Sequence, residues 1–111
     1  MTRFTGFVMA GVVAVSIPAS AQSAAVIEQG KKVYAANKCQ ICHAIDGVGN
    51  KKGVLDGVGK RLSADEIRAW MVDAPGMTAK TKSTRKPLMR SYPTIAKADL
   101  DALVVYMQSL K

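Results

Sequence analysis

The sequence predicts an all-α protein of three to five helices joined by loops. The clearest helix is the last one, whose apolar residues recur at the i, i+3, i+4, i+7 spacing of one buried face: Leu100, Leu103, Val104 and Met107. Another helix begins at Ser63, where the Ser63 hydroxyl and the Glu66 carboxylate are placed to form a capping box. No segment shows the apolar–polar alternation of a strand, so we expect no sheet.

Residues 26–37 predict an earlier helix with its apolar side chains on one side. Gly30 lies in its middle, where glycine costs about 1 kcal/mol relative to alanine. A glycine in such a place usually has a packing reason. The following stretch, from Asp46 to Gly59, holds four glycines and no strand pattern. It predicts a loop that can wrap closely round a flat ligand.

The second half of the chain has two predicted boundaries. Pro75 and Gly76 are expected to end the helix that begins at Ser63, and a long polar loop is expected over 78–93. The last helix has Ala96 at its expected cap position. Alanine there costs about 1 kcal/mol unless Thr94 acts as the cap.

The N-terminus predicts a secretory signal peptide over residues 1–21. Arg3 supplies a positive start, and residues 4–17 are apolar and uncharged. Ala19-Ser20-Ala21 is an Ala-x-Ala cleavage site, so we expect cleavage after Ala21. The apolar run is short for a membrane span, which needs about 20 residues. We therefore expect export to the periplasm, no stable membrane insertion after cleavage, and one small domain over 22–111.

Cys39, Cys42 and His43 stand as Cys-Gln-Ile-Cys-His. Cys-x-x-Cys-His is the attachment signature of c-type haem. Two thiols three positions apart can form thioethers with the two vinyl groups of one haem, and the adjacent imidazole then becomes an axial ligand of the iron. We therefore predict one covalently attached haem c, with Cys39 and Cys42 as tethers and His43 as an iron ligand.

Other functions of Cys39, Cys42 and His43 fit the sequence less well. A redox Cys-x-x-Cys is expected in a βαβ context, which the sequence lacks. A structural zinc site needs four ligands, whereas the chain has two cysteines and one histidine in all. Two buried thiols beside an unrelated histidine remain the alternative without a ligand.

The single histidine excludes ligation of one haem by two histidines, and methionine is the usual second axial ligand. The methionines beyond the predicted signal peptide are Met71, Met77, Met89 and Met107. Met71 and Met107 fall on apolar helix faces and fit the core better. Met77 and Met89 lie in or near the predicted loop, and we favour Met89 because Pro87 and Pro93 stiffen its surroundings.

The mature chain resembles a small bacterial class I cytochrome c over almost its whole length. The N-terminal helices of this family carry Gly-x-x-x-aromatic, here Gly30 and Tyr34, and the C-terminal helices carry Leu-x-x-aromatic, here Leu103 and Tyr106. The resemblance implies the class I cytochrome c fold, in which these helices cross closely at the glycine. Residues 86–92 resemble the family's axial-methionine segment, which implies that Met89 is the ligand.

The chain departs from this family at the partner of the haem-ligating histidine. The family usually has a proline whose carbonyl accepts the histidine N–H, whereas this chain has Gly53 and Val54 there, so either carbonyl could be the acceptor. Another departure is Arg90, which follows Met89 where the family usually has proline. It places a charge beside the expected haem edge.

The charge balance predicts an acidic partner. Without Arg3 the chain has 15 basic and 8 acidic residues, a formal charge of +7. Export argues against nucleic acid as the partner, and a basic surface then favours an acidic protein or an anionic membrane. Five basic residues and no acid lie between positions 80 and 90, and we expect them to form the docking face: Lys80, Lys82, Arg85, Lys86 and Arg90.

These features predict a one-electron carrier and not an enzyme. An iron with two protein ligands has no open site for substrate, and nothing else in the chain offers catalysis. Two alternatives remain open: a haem-based ligand sensor or peroxidase-like enzyme with a labile sixth ligand, and an electron-transfer subunit of a dehydrogenase or oxidase complex. The chain is expected to act as a monomer or as a subunit of such a complex.

Overall fold

The computed structural model describes residues 6, 8–16 and 19–111. The side chains of residues 20–22 lie outside the description as well. The described part contains five α-helices, two short 3₁₀ helices and two very short strands. The helices are α1 (Ala19–Ala36), α2 (Val58–Arg61), α3 (Ala64–Val72), α4 (Ala74–Thr81) and α5 (Lys97–Ser109), and the 3₁₀ helices are Cys39–Ile41 and Lys51–Gly53. The all-α fold class is confirmed.

The close pair of α1 and α5 forms one side of the domain, and its contact explains Gly30. A side-chain carbon at Gly30 would overlap the Ala102 carbonyl oxygen and lie 2.6 Å from Cβ of Tyr106. Glycine is therefore the residue that lets the two helices approach this closely. The Tyr34 and Tyr106 rings pack beside this point, edge to face, with centroids 6.0 Å apart and planes at 84°.

The core lies between these helices and α3. Its buried members come from α1, α2, α3 and α5, and the largest fully buried side chain is Leu103. Arg68 of α3 also reaches Asp101 of α5, with an Nη1–Oδ1 distance of 2.7 Å. The predicted apolar face of the last helix is thereby confirmed.

Two predictions for the first half of the chain differ from the structure. Helix α1 begins at Ala19 and not near residue 26, because the alanine-rich segment before Val26 has high helix propensity. The expected absence of a sheet was wrong, since β1 (Ala44–Ile45) pairs antiparallel with β2 (Val48–Gly49). Asp46 and Gly47 form the turn between them, both at positive φ, as expected of an Asp-Gly hairpin turn.

The prediction that Pro75 and Gly76 end a helix is wrong, because both lie in the first turn of α4. Helix α3 ends at Val72, and Asp73 then caps the next helix by accepting a hydrogen bond from the Gly76 amide at 3.1 Å. Proline is favoured in a first helical turn, because its missing N–H has no partner there in any case. The predicted loop from residue 78 therefore starts only after Thr81, and we call residues 82–93 the strap.

Helices α3 and α5 differ in how their first turns are capped. The Ser63–Glu66 capping box is confirmed, with the Ser63 amide 3.1 Å from Glu66 Oε1 and the Glu66 amide 3.2 Å from Ser63 Oγ. Helix α5 has Ala96 at its N-cap position and no side-chain cap, so Thr94 does not take that role. Among the described residues, none of the helices combines the length and apolar character needed to cross a bilayer.

The predicted signal segment is described only in part. Arg3, Pro18 and the side chains around the predicted cleavage site fall outside the described residues. Residues 8–16 have no secondary structure, and their apolar side chains are left in solvent, with Val12 94% and Met9 90% exposed. They contribute nothing to the core of the domain.

Candidate functional site

A cavity of about 860 Å³ opens between the attachment segment 39–43, the helices α2–α4 and the strap. Cys39, Cys42 and His43 all line it, as does Met89. Its deeper walls are apolar and come mainly from Leu55, Val58, Leu62, Ile67, Trp70, Met71, Leu103 and Met107. The structure thus brings together every site residue that the sequence predicts.

The His43 ring is fixed by one backbone contact. Its Nδ1 lies 2.9 Å from the Gly53 carbonyl oxygen. Burial lowers the pKa of the imidazole below its ordinary value, and the nearby Arg85 charge acts in the same direction, while the Gly53 contact partly opposes them. A neutral ring that donates its Nδ1–H leaves the Nε2 lone pair free for a metal. Of the two carbonyls left open by the sequence, Gly53 is therefore the acceptor.

Cys39 and Cys42 are partly buried and are not joined to each other in a disulfide. Burial raises the pKa of Cys39 to about 11. A redox-active cysteine needs a lowered pKa, since the thiolate is the reactive form. The site therefore does not resemble a dithiol oxidoreductase. Within the described residues, no three His, Cys, Asp or Glu side chains converge as metal ligands.

The four methionines differ in what they face. Met71 and Met107 line the cavity but also belong to the buried core, each 6% exposed. Met77 lies on α4, is 8% exposed and does not line the cavity. Met89 lies on the strap, lines the cavity and is only partly buried. The geometry thus agrees with the preference for Met89 over Met77, which stays a prediction.

The lining of the cavity, apolar with several cationic side chains, fits a large apolar ligand that carries negatively charged groups. Among the described residues, no acidic one lines it, whereas five cationic ones do: Lys38, Lys52, Arg61, Arg85 and Arg90. Three buried polar atoms in its wall have no hydrogen-bond partner, namely Tyr34 Oη, Thr78 Oγ1 and Arg85 Nε. Buried polar groups are normally satisfied. The apolar macrocycle and two carboxylates of haem suit these walls.

Sequence reasoning missed the direction of Arg85, which we expected on the docking face. Its guanidinium turns inward, and Nη2 donates to the Cys42 carbonyl oxygen. Nothing in the sequence distinguishes it from the other four cations between positions 80 and 90. It also missed the cations at the cavity mouth on the side of the attachment segment, Lys38 and Lys52.

Residues 27–111 match the protein family described as cytochrome c, so the chain belongs to the cytochrome c family. The chain is also 28% identical, over 92 residues, to cytochrome c oxidase subunit 2 of Alkalihalophilus pseudofirmus. That match covers 75% of this chain and 25% of the relative, so the chain spans about a quarter of that protein's length. No solved structure matches the chain.

Family membership settles the cofactor and the broad function. The protein holds a covalently attached haem c and its iron, and it acts in haem-based electron transfer. The predicted class I cytochrome c fold is confirmed by the family match together with five helices in the described part of the chain.

Proposed function

We propose that the protein is a periplasmic one-electron carrier in which His43 and Met89 are the axial ligands of the haem iron. The observation that carries this proposal is the pair of ligand positions. His43 donates Nδ1–H to Gly53 and keeps Nε2 free, and Met89 lines the same cavity from the strap. Bound haem supplies one reversible electron transfer between ferric and ferrous iron.

The cavity supports carriage of electrons better than catalysis. Among the described residues, its lining holds no carboxylate to act as a general base, and the His43 imidazole donates to the Gly53 carbonyl and is the proposed iron ligand. A methionine and a histidine on one iron leave no coordination position for substrate. We propose accordingly that the protein is not an enzyme, and that the sensor or peroxidase-like alternative does not apply.

Carbon monoxide separates these possibilities, because it binds ferrous haem at an open or readily vacated position. We expect the reduced wild-type protein and Met77→Ala to bind it slowly or not at all, and Met89→Ala to bind it at once. Rapid stoichiometric binding by the wild type would favour the sensor or the peroxidase-like enzyme.

We propose that the docking face for an acidic redox partner is the outer surface of the strap and the adjoining end of α4. Lys80, Lys82 and Lys86 are exposed there. Arg90 is exposed at the mouth of the cavity, beside Leu88, which is 51% exposed. A basic surface of this kind raises the association rate with anions, and salt screens it.

A charge-reversal pair tests this face with ferricyanide as an anionic oxidant. Lys82→Glu with Lys86→Glu should slow oxidation of the reduced protein at low salt. The control pair is Lys32→Glu with Lys60→Glu, on α1 and α2, which makes the same change in net charge at exposed positions. Equal slowing by both pairs would mean that net charge alone acts and that the strap is not the docking face. The difference between the pairs should fade at 1 M salt, where the Debye length falls to about 3 Å.

A second candidate is an electron-transfer subunit of an oxidase complex. The observation in its favour is the match to a quarter of a cytochrome c oxidase subunit 2. The two candidates differ in assembly, since a free shuttle purifies as a small single chain. Co-purification with an oxidase at constant stoichiometry through gel filtration would favour the subunit.

We propose that the signal peptide is cleaved after Ala21 and that the product is periplasmic. The exposed apolar side chains of residues 8–16 support this proposal, because they lie outside the core of the domain. Mass spectrometry of the exported protein should find Gln22 as the first residue and the added mass of one haem. A chain that begins at Met1 in the membrane fraction would contradict the proposal.

A further inference from the structure

The strap is held to the rest of the domain by few backbone contacts. Within the described part of the chain, residues 84–91 make no backbone–backbone hydrogen bond. The C-terminal end of the strap is held by the Tyr92 amide, 2.7 Å from the Met71 carbonyl oxygen, and by Ser91 Oγ, which accepts from the Ala74 amide at 2.9 Å. The section that precedes Met89 needs some other support.

Arg85 supplies that support from inside the strap. Its Nη2 donates to the Cys42 carbonyl oxygen, which lies in the attachment segment more than forty residues earlier in the chain. A guanidinium has several donors in a fixed planar arrangement, so it can join two segments with a defined geometry. This contact therefore links the segment that carries Met89 directly to the segment that carries the haem tethers and His43.

The site is shaped to admit this guanidinium. A side-chain carbon at Gly53 would lie 2.5 Å from Cζ of Arg85 and would also overlap the Cys42 carbonyl oxygen. Any side chain at Gly53 would therefore displace Arg85 from its contact. Gly53 thus has two functions here, since its carbonyl accepts the His43 N–H and its missing side chain leaves room for Arg85.

The same guanidinium lies next to the His43 ring. Nη1 of Arg85 is 3.5 Å from Nδ1 of His43. Because the Nδ1–H already donates to Gly53, this contact places a positive charge beside the ring and is not a second hydrogen bond. The charge is partly buried, and Coulomb interactions there are screened less than at the surface.

We propose that Arg85 is a positioning residue that fastens the Met89-bearing strap to the attachment segment and places a fixed positive charge beside His43. The inference rests on the proposed His43 and Met89 ligation. Two consequences follow from it. The charge disfavours the ferric state, which carries one more positive charge than the ferrous state, and so raises the reduction potential. The tie to Cys42 makes loss of the Met89 ligand harder.

The test compares Arg85→Gln with Lys86→Gln, which removes the same charge from an exposed neighbouring position. The first measurement is the midpoint potential of each haem-loaded protein. We expect Arg85→Gln to lower the potential by clearly more than Lys86→Gln. Arg85→Lys keeps a charge, and it should recover most of the shift.

The second measurement follows the weak ferric band near 695 nm, which reports an iron–methionine bond, during titration with a denaturant. In Arg85→Gln this band should disappear at a lower denaturant concentration than in Lys86→Gln, and before the helical circular dichroism signal changes. Arg85→Lys should restore this resistance only in part, because an ammonium cannot reproduce the planar contact. Arg85→Lys also serves as the decisive variant if Arg85→Gln does not accumulate.

Equal potentials and equal band loss in Arg85→Gln and Lys86→Gln would overturn the proposal for Arg85, while the wild-type band and electron transfer stay intact. If Arg85→Gln does not accumulate, the band titration of Arg85→Lys decides, and loss of the band at the same denaturant concentration as in Lys86→Gln would overturn the proposal. A wild-type protein without the 695 nm band would instead overturn the proposed ligation on which the inference rests.

Discussion

The α1–α5 contact and the strap form two boundaries of the same domain, and they are held in different ways. Tight apolar packing fixes the helices, with Gly30 against Ala102 and the Tyr34 ring against the Tyr106 ring. The strap packs only partly buried side chains, Met89 and Tyr92, against the core, and it otherwise depends on a few polar contacts, among them that of Arg85.

This difference separates stability from ligand chemistry. A helix pair with close contacts gains its free energy from buried area and tolerates little change in volume. A strap with few backbone hydrogen bonds opens locally at a lower free energy than the whole domain. Met89, the second axial ligand that we propose, thus lies on the segment whose position can change without unfolding the core.

The largest effect is expected from loss of the proposed haem tethers, because the macrocycle would then no longer be held in the apolar cavity. Cys39→Ala together with Cys42→Ala should leave little folded protein with attached haem. Haem content and far-ultraviolet circular dichroism of the purified protein check this. Gln40→Ala, between the two cysteines and exposed, should behave as wild type. Full yields of folded, haem-free double mutant would show that the helices need no haem.

Gly30→Ala should lower the free energy of unfolding by about 1–3 kcal/mol, as expected when a tight contact is overpacked. The new methyl group would meet Ala102 and Tyr106. Leu88→Ala on the strap provides the comparison, because exposed residues usually change stability by less than about 0.5 kcal/mol. Chemical denaturation of both holoproteins measures the difference. Similar losses would mean that the two regions are not held differently.

Ala96→Ser should raise the free energy of unfolding by about 1 kcal/mol, since α5 begins there without a side-chain cap. This position joins the end of the strap to the well-packed helix. Thr94→Ala is the matched control and should change nothing, because Thr94 does not cap the helix. A lower free energy of unfolding in Thr94→Ala would mean that Thr94 caps α5 after all.

The smallest expected effect is on the stability of the domain at low pH, through the Arg68–Asp101 contact between α3 and α5. Hydrogen bonds from Lys97 and then Arg68 hold the pKa of Asp101 below its ordinary value of about 3.9. Its stabilising contribution is therefore present above that value and is lost as the pH falls through the lower, folded-state pKa. Asp101→Asn should flatten the fall in stability below about pH 4, compared with Asp65→Asn. If stability falls with pH in the same way in both variants, Asp101 does not contribute to acid sensitivity as proposed.

Much of the fold was predictable because its determinants are local or strongly periodic. The spacing around Leu103 gave the last helix, and the Ser63–Glu66 pair gave a helix start. The close approach at Gly30 followed from the family resemblance and agrees with the cost of glycine inside a helix. The predicted helix end at Pro75 was wrong because a proline is compatible with the start of a helix as well as with the residues after its end.

The candidate site also has residues that the sequence predicts and residues that only the fold reveals. The attachment segment 39–43 could be recognised because its chemistry requires a fixed spacing along the chain. Arg85 could not, because its contacts with Cys42 and Gly53 join segments that are distant in sequence. The sequence narrowed the acceptor of the His43 N–H to two carbonyls, those of Gly53 and Val54. Only the fold shows that the Gly53 carbonyl faces His43.

The ferric absorption spectrum near 695 nm tests the central claim most directly, when it is recorded for wild type, Met89→Ala and Met77→Ala. The claim is that a methionine on the strap, and not one in the core, completes the coordination of the iron. We expect the band in the wild type and in Met77→Ala, and its loss in Met89→Ala together with a lower reduction potential. A band that survives in Met89→Ala and disappears in Met77→Ala would contradict the account.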